Sequence, residues 1–341
     1  MTVNIQPLPD TEHRQLVLAR DKPLVGRRTI NVSSVAEPAP NCAVVMVSFR
    51  TGPILIDSLQ AALSSDAVSR IVLVDNGNNT DTRRAIDALE AEESRLHVLR
   101  GRGNIGFARA CNLGVAKADS EIVLLLNPDC ILHPGALERG LEVLGAHPEA
   151  GALTVRIENT DGSEQRGARR NLMTPWTCLV EQFRLDRVMP NHPHFQRLNL
   201  NETEPVHDVS PVECISGAFM LVQRQIYEEI GGMDEDYFLH VEDVDFCMRL
   251  SKAGHAILYV PDAAVTHIKG TSRVSPFRIE WHKSVSVAAY FRKHFRPQYP
   301  DFILRMIGAA IFLRLAVRAV PITVSWIAER LRGDGIESRR R

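Results

Sequence analysis

Between residues 42 and 130 the chain alternates two kinds of hydrophobic pattern. Unbroken apolar runs occupy 42–49 (CAVVMVSF), 71–74, 96–99 and 122–126. Runs this short and this apolar predict strands buried on both faces, as in a parallel sheet. Amphipathic stretches separate them: 54–63, with Leu55, Leu59 and Leu63 at spacings of four, 82–93, with Ala85, Ile86 and Leu89 on one side, and a third that 103–114 leads into. These predict helices. Strand alternating with helix predicts an α/β protein with a mostly parallel, doubly wound sheet. Further along, the pattern predicts a helix over 135–144, a strand over 151–157, strand character over 212–222, a helix from 242 (Val244, Met248, Leu250) and a strand over 256–260. A glycine inside a strand, as in Ser216-Gly217-Ala218, often marks close approach of a ligand or another backbone. Residues 1–40 and 158–210 show no sustained periodicity. The first reads as a leader or small adornment. The second, with His192 and His194 as loop-surface residues, reads as a long connection, and such loops inside compact domains are often functional.

The stretch 121–130 (EIVLLLNPDC) is central. Pro128 stops the strand, so Asp129 is delivered past its carboxyl end, where open α/β sheets place their ligands. A carboxylate there can hold a divalent cation against a pyrophosphate. The plainer alternative is a turn whose aspartate bonds nearby backbone. A second strand end carries Asp75-Asn76-Gly77.

Residues 101–106 (GRGNIG) match G-x-G-x-x-G between a strand and a helix. Read as a dinucleotide fingerprint, they imply an NAD-dependent oxidoreductase. Against that, a full strand-helix-strand unit precedes the motif, and Asp75 and Asp129 are left without a joint explanation. A non-catalytic sugar-nucleotide or polysaccharide binder is the other alternative.

Composition narrows the setting. The six cysteines are scattered with no C-x-x-C pair, which argues against a disulfide framework or zinc site and fits a reducing cytoplasm. The N-terminus carries no apolar run of signal-peptide type. The net charge of −1 conceals an asymmetry: residues 276–341 hold 13 Lys/Arg against 5 Asp/Glu, a net of +8, leaving −9 for 1–275. Such a basic region points to an anionic partner. Nothing matches a nucleic-acid module. Residues 277–299 predict a basic, aromatic helix, and 303–331 a long apolar one interrupted by Pro321. Arg314, Arg318, Ser325, Glu329 and Arg332 form one polar stripe on it. Interior arginines make it a poor spanning helix. An amphipathic helix lying on an anionic leaflet fits better; packing against the protein or another subunit, in a homo-oligomer, is the alternative.

Four stretches in this order, VVMVSFR (44–50), IVLVDNGNNTD (71–81), GNIGFARACNLG (103–114) and LLLNPD (124–129), resemble the nucleotide-binding half of a GT-A fold, family 2 glycosyltransferase. The resemblance runs over about 42–295. It implies a catalytic domain over 41–275, divided into a nucleotide-binding half (41–130) and an acceptor half (131–275), followed by a basic helical region (276–341). Its donor-binding positions fall on Ser48, Arg50, Asp75, Asn76, Asn104, Gly106, Asn127, Asp129 and Arg273. Asp75 would lie beside the base, where a carboxylate accepts the N3–H that uracil and thymine carry and cytosine lacks. Asn127-Pro128-Asp129 stands where the family has D-x-D, so Asp129 is left as the charged metal ligand.

The block GGMDEDYFLHVEDVDFCMR (231–249) resembles the family's catalytic motif and implies Asp243 as general base. Glu242 stands beside it in the catalytic pair, and Glu242 and Asp245 would orient it or the acceptor. Capping of the following helix is the structural alternative for these acids. HIKGTS (267–272) implies His267 as the second metal ligand, for Mn2+ or Mg2+, with Lys269, Ser272 and Arg273 reaching toward the diphosphate. One base and no nucleophile imply displacement with inversion. The NPD form, FLHVEDVDFCMRL and HIKGTS together are most similar to the rhamnosyltransferase branch, which implies dTDP-L-rhamnose as donor and a polysaccharide or polyprenyl-linked glycan as acceptor. That acceptor and the basic helices imply a cytoplasmic enzyme peripheral on the inner face of the membrane. The Q-x-x-R-W signature of processive synthases is absent, which implies one sugar per encounter.

Overall fold

The computed structural model describes residues 42–189, 192–271 and 274–337, with side chains up to residue 321 apart from that of residue 193. The expectation for 1–40, and those for Ser272 and Arg273, lie outside these residues. The first half runs β1 (Cys42–Ser48), α1 (Ile54–Leu63), β2 (Val68–Asp75), α2 (Thr80–Glu92), β3 (Leu96–Leu99), α3 (Phe107–Val115) and β4 (Ile122–Leu126). Then come β5 (Cys130–Leu132), α4 (Ala136–Ala146), β6 (Ala150–Glu158), β7 (Arg169–Arg170), α5 (Pro175–Phe183), β8 (Ser210–Pro211), β9 (Cys214–Ile215), β10 (Phe219–Gln223) and α6 (Arg224–Glu229). The last elements are α7 (Glu242–Lys252), β11 (Ala256–His267), α8 (Pro276–Phe295) and α9 (Asp301–Glu337).

The main sheet has the order β3-β2-β1-β4-β10-β6-β11-β5, with β8 on β11. β3, β2, β1 and β4 are mutually parallel, so the doubly wound expectation holds over that half. Beyond it the sheet mixes directions: β10 runs antiparallel to both β4 and β6, and β6 pairs parallel with β11. Alternation along β1 feeds two hydrophobic layers. Val44 and Met46 pack with Leu55, Leu59, Ile86 and Leu137, bringing α1, α2 and α4 to one face. Val45 and Val47 pack with Ala108, Cys111, Phe246 and Tyr290, bringing α3, α7 and α8 to the other. Each such large apolar side chain, fully buried, contributes about 1.5–3 kcal/mol. Gly114 allows the closest approach, since a Cβ there would fall 2.3 Å from Val45 Cγ1.

Two strands differ from the pattern-based expectation in ways that build the site. The 212–222 run divides: β9 pairs with β7 in a separate two-stranded sheet, β10 joins the main sheet, and Ser216-Gly217-Ala218 crosses between them. The 256–260 strand does not stop at Pro261. It continues to His267 through a register shift between Val260 and Ala264, a bulge being one place where a strand tolerates proline. That extension sets His267 opposite Cys130 in the β11–β5 ladder, one residue from Asp129.

Candidate active site

Three clusters of side chains meet at the carboxyl ends of β1, β2 and β4. In the first, Ser48 and Asp75 are register partners at the ends of β1 and β2. Asp75 Oδ1 accepts from the Gly77 and Asn78 backbone N–H groups and from Asn78 Nδ2, each at 2.9 Å. Arg83 Nε approaches its other oxygen at 3.3 Å. Asn78 Nδ2 also donates to Ser48 Oγ at 2.7 Å. Asn76 Nδ2 donates to the Gly106 carbonyl at 3.1 Å and approaches Asn104 Oδ1 at 3.5 Å, and Asn104 Oδ1 accepts from Gly106 N–H. Ser48, Asp75, Asn76, Asn104 and Gly106 are therefore one connected wall. Arg50 stands exposed beside it, at φ 53°, with its guanidinium 5.3 Å from the Phe49 ring centroid.

This geometry also bears on the glycine motif. β3, which precedes it, is the edge strand of the sheet. The first free N–H of α3, that of Phe107, is taken by the Phe238 carbonyl at 2.9 Å. Gly106, at φ 89°, has no room for a side chain, because a Cβ would lie 2.9 Å from that same oxygen. One N–H of the helix end that would cradle a pyrophosphate is therefore taken by the chain's own backbone, which also crowds Gly106.

The second cluster joins β4 to β11. Asp129 and His267 are both nearly buried, and Asp129 Oδ1 lies 3.2 Å from His267 Nε2. Asn127 Nδ2 is 3.3 Å from the same nitrogen. Thr271 Oγ1 donates to Asp129 Oδ2 at 2.8 Å. On the far side of the ring, Nδ1 is 2.7 Å from Gln165 Oε1. Cys130 lies in the same group, but burial, with the Asp129 charge adding to it, pushes its thiol well up, and Sγ bonds the Ala218 carbonyl at 3.4 Å. A hard carboxylate and an imidazole fit Mn2+; the neutral thiol does not belong to that set.

The third cluster is at the start of α7. Arg170 Nη2 donates to Asp243 Oδ2 at 2.6 Å, Gly217 N–H approaches the same oxygen at 3.3 Å, and Val244 N–H bonds Oδ1 at 2.8 Å. Burial alone would raise the Asp243 carboxyl, yet the Arg170 charge and hydrogen bond outweigh it and hold the group below its usual range. Burial pushes Glu242 the other way, and the neighbouring Asp243 charge adds to that rise. Asp245 does not serve the orienting role suggested for it. It is fully buried and bonded by Lys293, His294 and Arg249, each at 2.7 Å, so it ties α7 to α8.

The crossover 216–218 joins the second and third clusters. Asn127 N–H bonds the Ala218 carbonyl, Gly217 N–H reaches Asp243, and a Cβ on Gly217 would stand 3.6 Å from Asp243 Cβ. Gln165, Arg170, Asn78 and Thr271 were not singled out from sequence. Of these, the Asn-Gly-Asn-Asn run beyond Asp75 and the HIKGTS ending carried a local signal for Asn78 and Thr271, whereas Gln165 and Arg170 lie in the aperiodic 158–210 stretch.

Residues 39–299 match the model of the family described as glycosyltransferase like family 2, and the chain belongs to that family. It is a glycosyltransferase with a GT-A fold, of rhamnosyltransferase-like type. It is 32% identical over 243 residues, covering 67% of this chain and 76% of the relative, to N-acetylglucosaminyl-diphospho-decaprenol L-rhamnosyltransferase of Mycobacterium tuberculosis. It is 34% identical over 193 residues, 53% of this chain and 68% of the relative, to rhamnosyltransferase WbbL of Escherichia coli. Among solved structures, the mannosyltransferase PcManGT of Pyrobaculum calidifontis, in complex with GDP-Man and Mn2+, shares the fold at a TM-score of 0.54 and 16% identity over 94% of this chain and 82% of that one. GalNAc-T7, solved with UDP, GalNAc and Mn2+, does so at 0.55 and 16% over 74% of this chain and about half, 48%, of that one.

Proposed function

We propose that this chain is an inverting, metal-dependent rhamnosyltransferase. It would move L-rhamnose from dTDP-L-rhamnose to a hydroxyl of a polyprenyl diphosphate-linked glycan. The observation that carries the reading is the convergence of the Asp129–His267 pair and Asp243 on the two sides of the 216–218 crossover. Asp129 and His267 would hold the divalent cation, which when bound offsets the charge of the leaving diphosphate. The wall of Ser48, Asp75, Asn76, Asn104 and Gly106 would take the nucleoside, with Arg50 at its rim.

Asp243 is the base. A carboxylate offers about four lone-pair sites, and three donors use three of them, leaving one on Oδ1 for the acceptor hydroxyl. As that oxygen attacks the anomeric carbon, its proton passes to Asp243. The new carbon–oxygen bond forms opposite the breaking bond to the diphosphate, so a single displacement inverts the centre. Glu242, raised toward its neutral form, stays beside Asp243 without adding a second negative charge.

The donor and the lipid-linked acceptor rest on the two rhamnosyltransferase relatives, one of them named for a diphospho-decaprenol acceptor. Association with the inner face of an anionic membrane is supported by the +8 charge of 276–341 and by apolar side chains exposed on α9, namely Phe302, Met306, Leu313, Val317 and Val320. Among the described residues no helix is long and apolar enough to cross a membrane.

The test is a thermal-shift panel of dTDP, UDP, GDP and NAD, with and without Mn2+, on wild type and Asp129→Ala, followed by transfer assays with dTDP-L-rhamnose. Stabilisation by dTDP that needs both Mn2+ and Asp129 is the expected result. Stabilisation by NAD alone, indifferent to metal, would overturn the reading.

A further inference from the structure

A ligand histidine binds a cation through one nitrogen, and the group bonded to the other nitrogen decides which one is free. His267 has that second group in Gln165, 102 residues away in sequence and itself buried. The orientation of the Gln165 amide follows from its remaining bonds. Its Nε2 lies 3.0 Å from the His267 carbonyl and 3.0 Å from Asn159 Oδ1. The first is an acceptor that cannot donate, and Asn159 uses its own amide nitrogen as a donor to Ser163 Oγ at 2.9 Å. Two acceptors on that side require the NH2 group there, so the carbonyl oxygen of Gln165 faces His267 Nδ1 at 2.7 Å. A carbonyl oxygen accepts only, and Nδ1 must carry the proton. Nε2 is then the nitrogen left to meet a cation. It is the one that faces Asp129 Oδ1 at 3.2 Å, and Asn127 Nδ2, a donor, stands 3.3 Å from it.

From this bonding pattern we infer that Gln165 is a positioning residue for the metal site. It fixes the tautomer and ring plane of His267 so that Nε2, not Nδ1, is presented beside Asp129. The same amide grips both the ring and the backbone carbonyl of His267, so ring and main chain are held as one unit at the end of β11. The inference rests on the proposed metal site and adds a residue to it. Gln165 touches neither donor nor acceptor; it acts through His267.

The experiment uses the full-length protein, with Mn2+ as the probe. Free Mn2+ is followed by electron paramagnetic resonance during titration of wild type, Gln165→Leu, Gln165→Glu, His267→Ala and the double variant Gln165→Leu/His267→Ala. Gln165→Leu should bind Mn2+ about 10–100-fold more weakly. Gln165→Glu, which keeps an acceptor for Nδ1–H, should recover most of that loss. In the His267→Ala background Gln165→Leu should cost nothing further. Nitrogen-15 spectra of histidine-labelled, metal-free protein give a second readout. Wild type and Gln165→Glu should show Nδ1 protonated in His267, and Gln165→Leu a mixture of tautomers. Unchanged Mn2+ affinity in Gln165→Leu, or an equal loss that persists without His267, would overturn the inference and leave the metal site standing. A wild type that takes up no Mn2+, with or without dTDP, would overturn both.

Discussion

Arg170 Nη2 and Asp243 Oδ2 are 2.6 Å apart, the guanidinium arriving from β7 and the carboxylate from the first turn of α7. The pair keeps the proposed base ionised at the cost of some basicity. A hydrogen bond to a charged group is worth about 1.5–3 kcal/mol, so Arg170→Ala should lower kcat/KM by roughly 10–100-fold. It should also move the acid limb of the pH profile. Arg170 depresses the Asp243 carboxyl, so its removal raises that pKa, and activity should begin to fall at a higher pH than in wild type. An acid limb that stays in place would mean that Arg170 does not set the charge state of Asp243.

Asp243→Asn keeps the shape and acceptor oxygen of the side chain and removes its capacity to take a proton. Loss of general base catalysis is worth about 10²–10⁴-fold, and that is the expected fall in turnover. Binding of dTDP with Mn2+, measured by calorimetry, should be unchanged. Loss of donor binding in this variant would make Asp243 a structural acid.

Asp245 shows how one acid of the same motif was diverted to architecture. Burial would raise its carboxyl, but the bonds from His294 and Lys293 and the charge of Arg249 hold it well below the usual range. A depressed folded-state pKa means its stabilisation is fully present above the unfolded value of about 4 and is lost as pH falls through the folded value. Asp245→Asn should therefore destabilise the protein at neutral pH by about 3–5 kcal/mol, as removal of one partner from a buried ion network does. The gap between variant and wild type should narrow in acid below about pH 4. Denaturant melts at neutral and acid pH check both statements; a gap independent of pH would assign the loss to packing.

Gly106 separates two readings of the same glycine motif. Its φ of 89° and the Phe238 carbonyl 2.9 Å from an added Cβ mean that Gly106→Ala must strain the backbone and push back the segment leading to Asp243. A cost of about 1–3 kcal/mol is expected, with turnover falling and no NAD affinity to lose. Equal stability of Gly106→Ala would remove the close approach from the argument.

What the sequence made legible follows from how each residue is held. β1, β2 and β4 were legible because strands buried on both faces need continuous apolar runs, and Asp75 and Asp129 because they end such runs. Asp243 was legible through a dense local block. Gln165 and Arg170 were not, since their partners His267 and Asp243 lie 102 and 73 residues away and no local period records such a bond. The direction of β10 was equally hidden: an apolar strand between β4 and β6 has the same pattern whichever way it runs. Asp245 was misassigned because an acidic cluster does not say which members face a cleft and which face a helix.

α9 has apolar residues on two faces, and the structure separates their uses. Leu304, Ile307 and Ile311 join the core layer that includes Tyr290 and Phe295, and Arg314 bonds Gln182 of α5 and approaches Glu280 of α8. One face therefore packs on the protein, as the alternative to membrane binding required. The opposite stripe, Phe302, Met306, Leu313, Val317 and Val320, remains 63–71% exposed, next to the exposed cation Arg305. An exposed apolar stripe in a region of net charge +8 suits an anionic leaflet. Leu313→Ser/Val317→Ser/Val320→Ser should cut co-sedimentation with phosphatidylserine vesicles at least about tenfold, since each buried apolar side chain is worth more than a kcal/mol. Turnover of a water-soluble acceptor should not change, because none of the three residues lies in the site. Undiminished sedimentation would remove the membrane from this face, and a shift of the variant to a smaller species in size-exclusion chromatography would assign the stripe to a second copy of the chain.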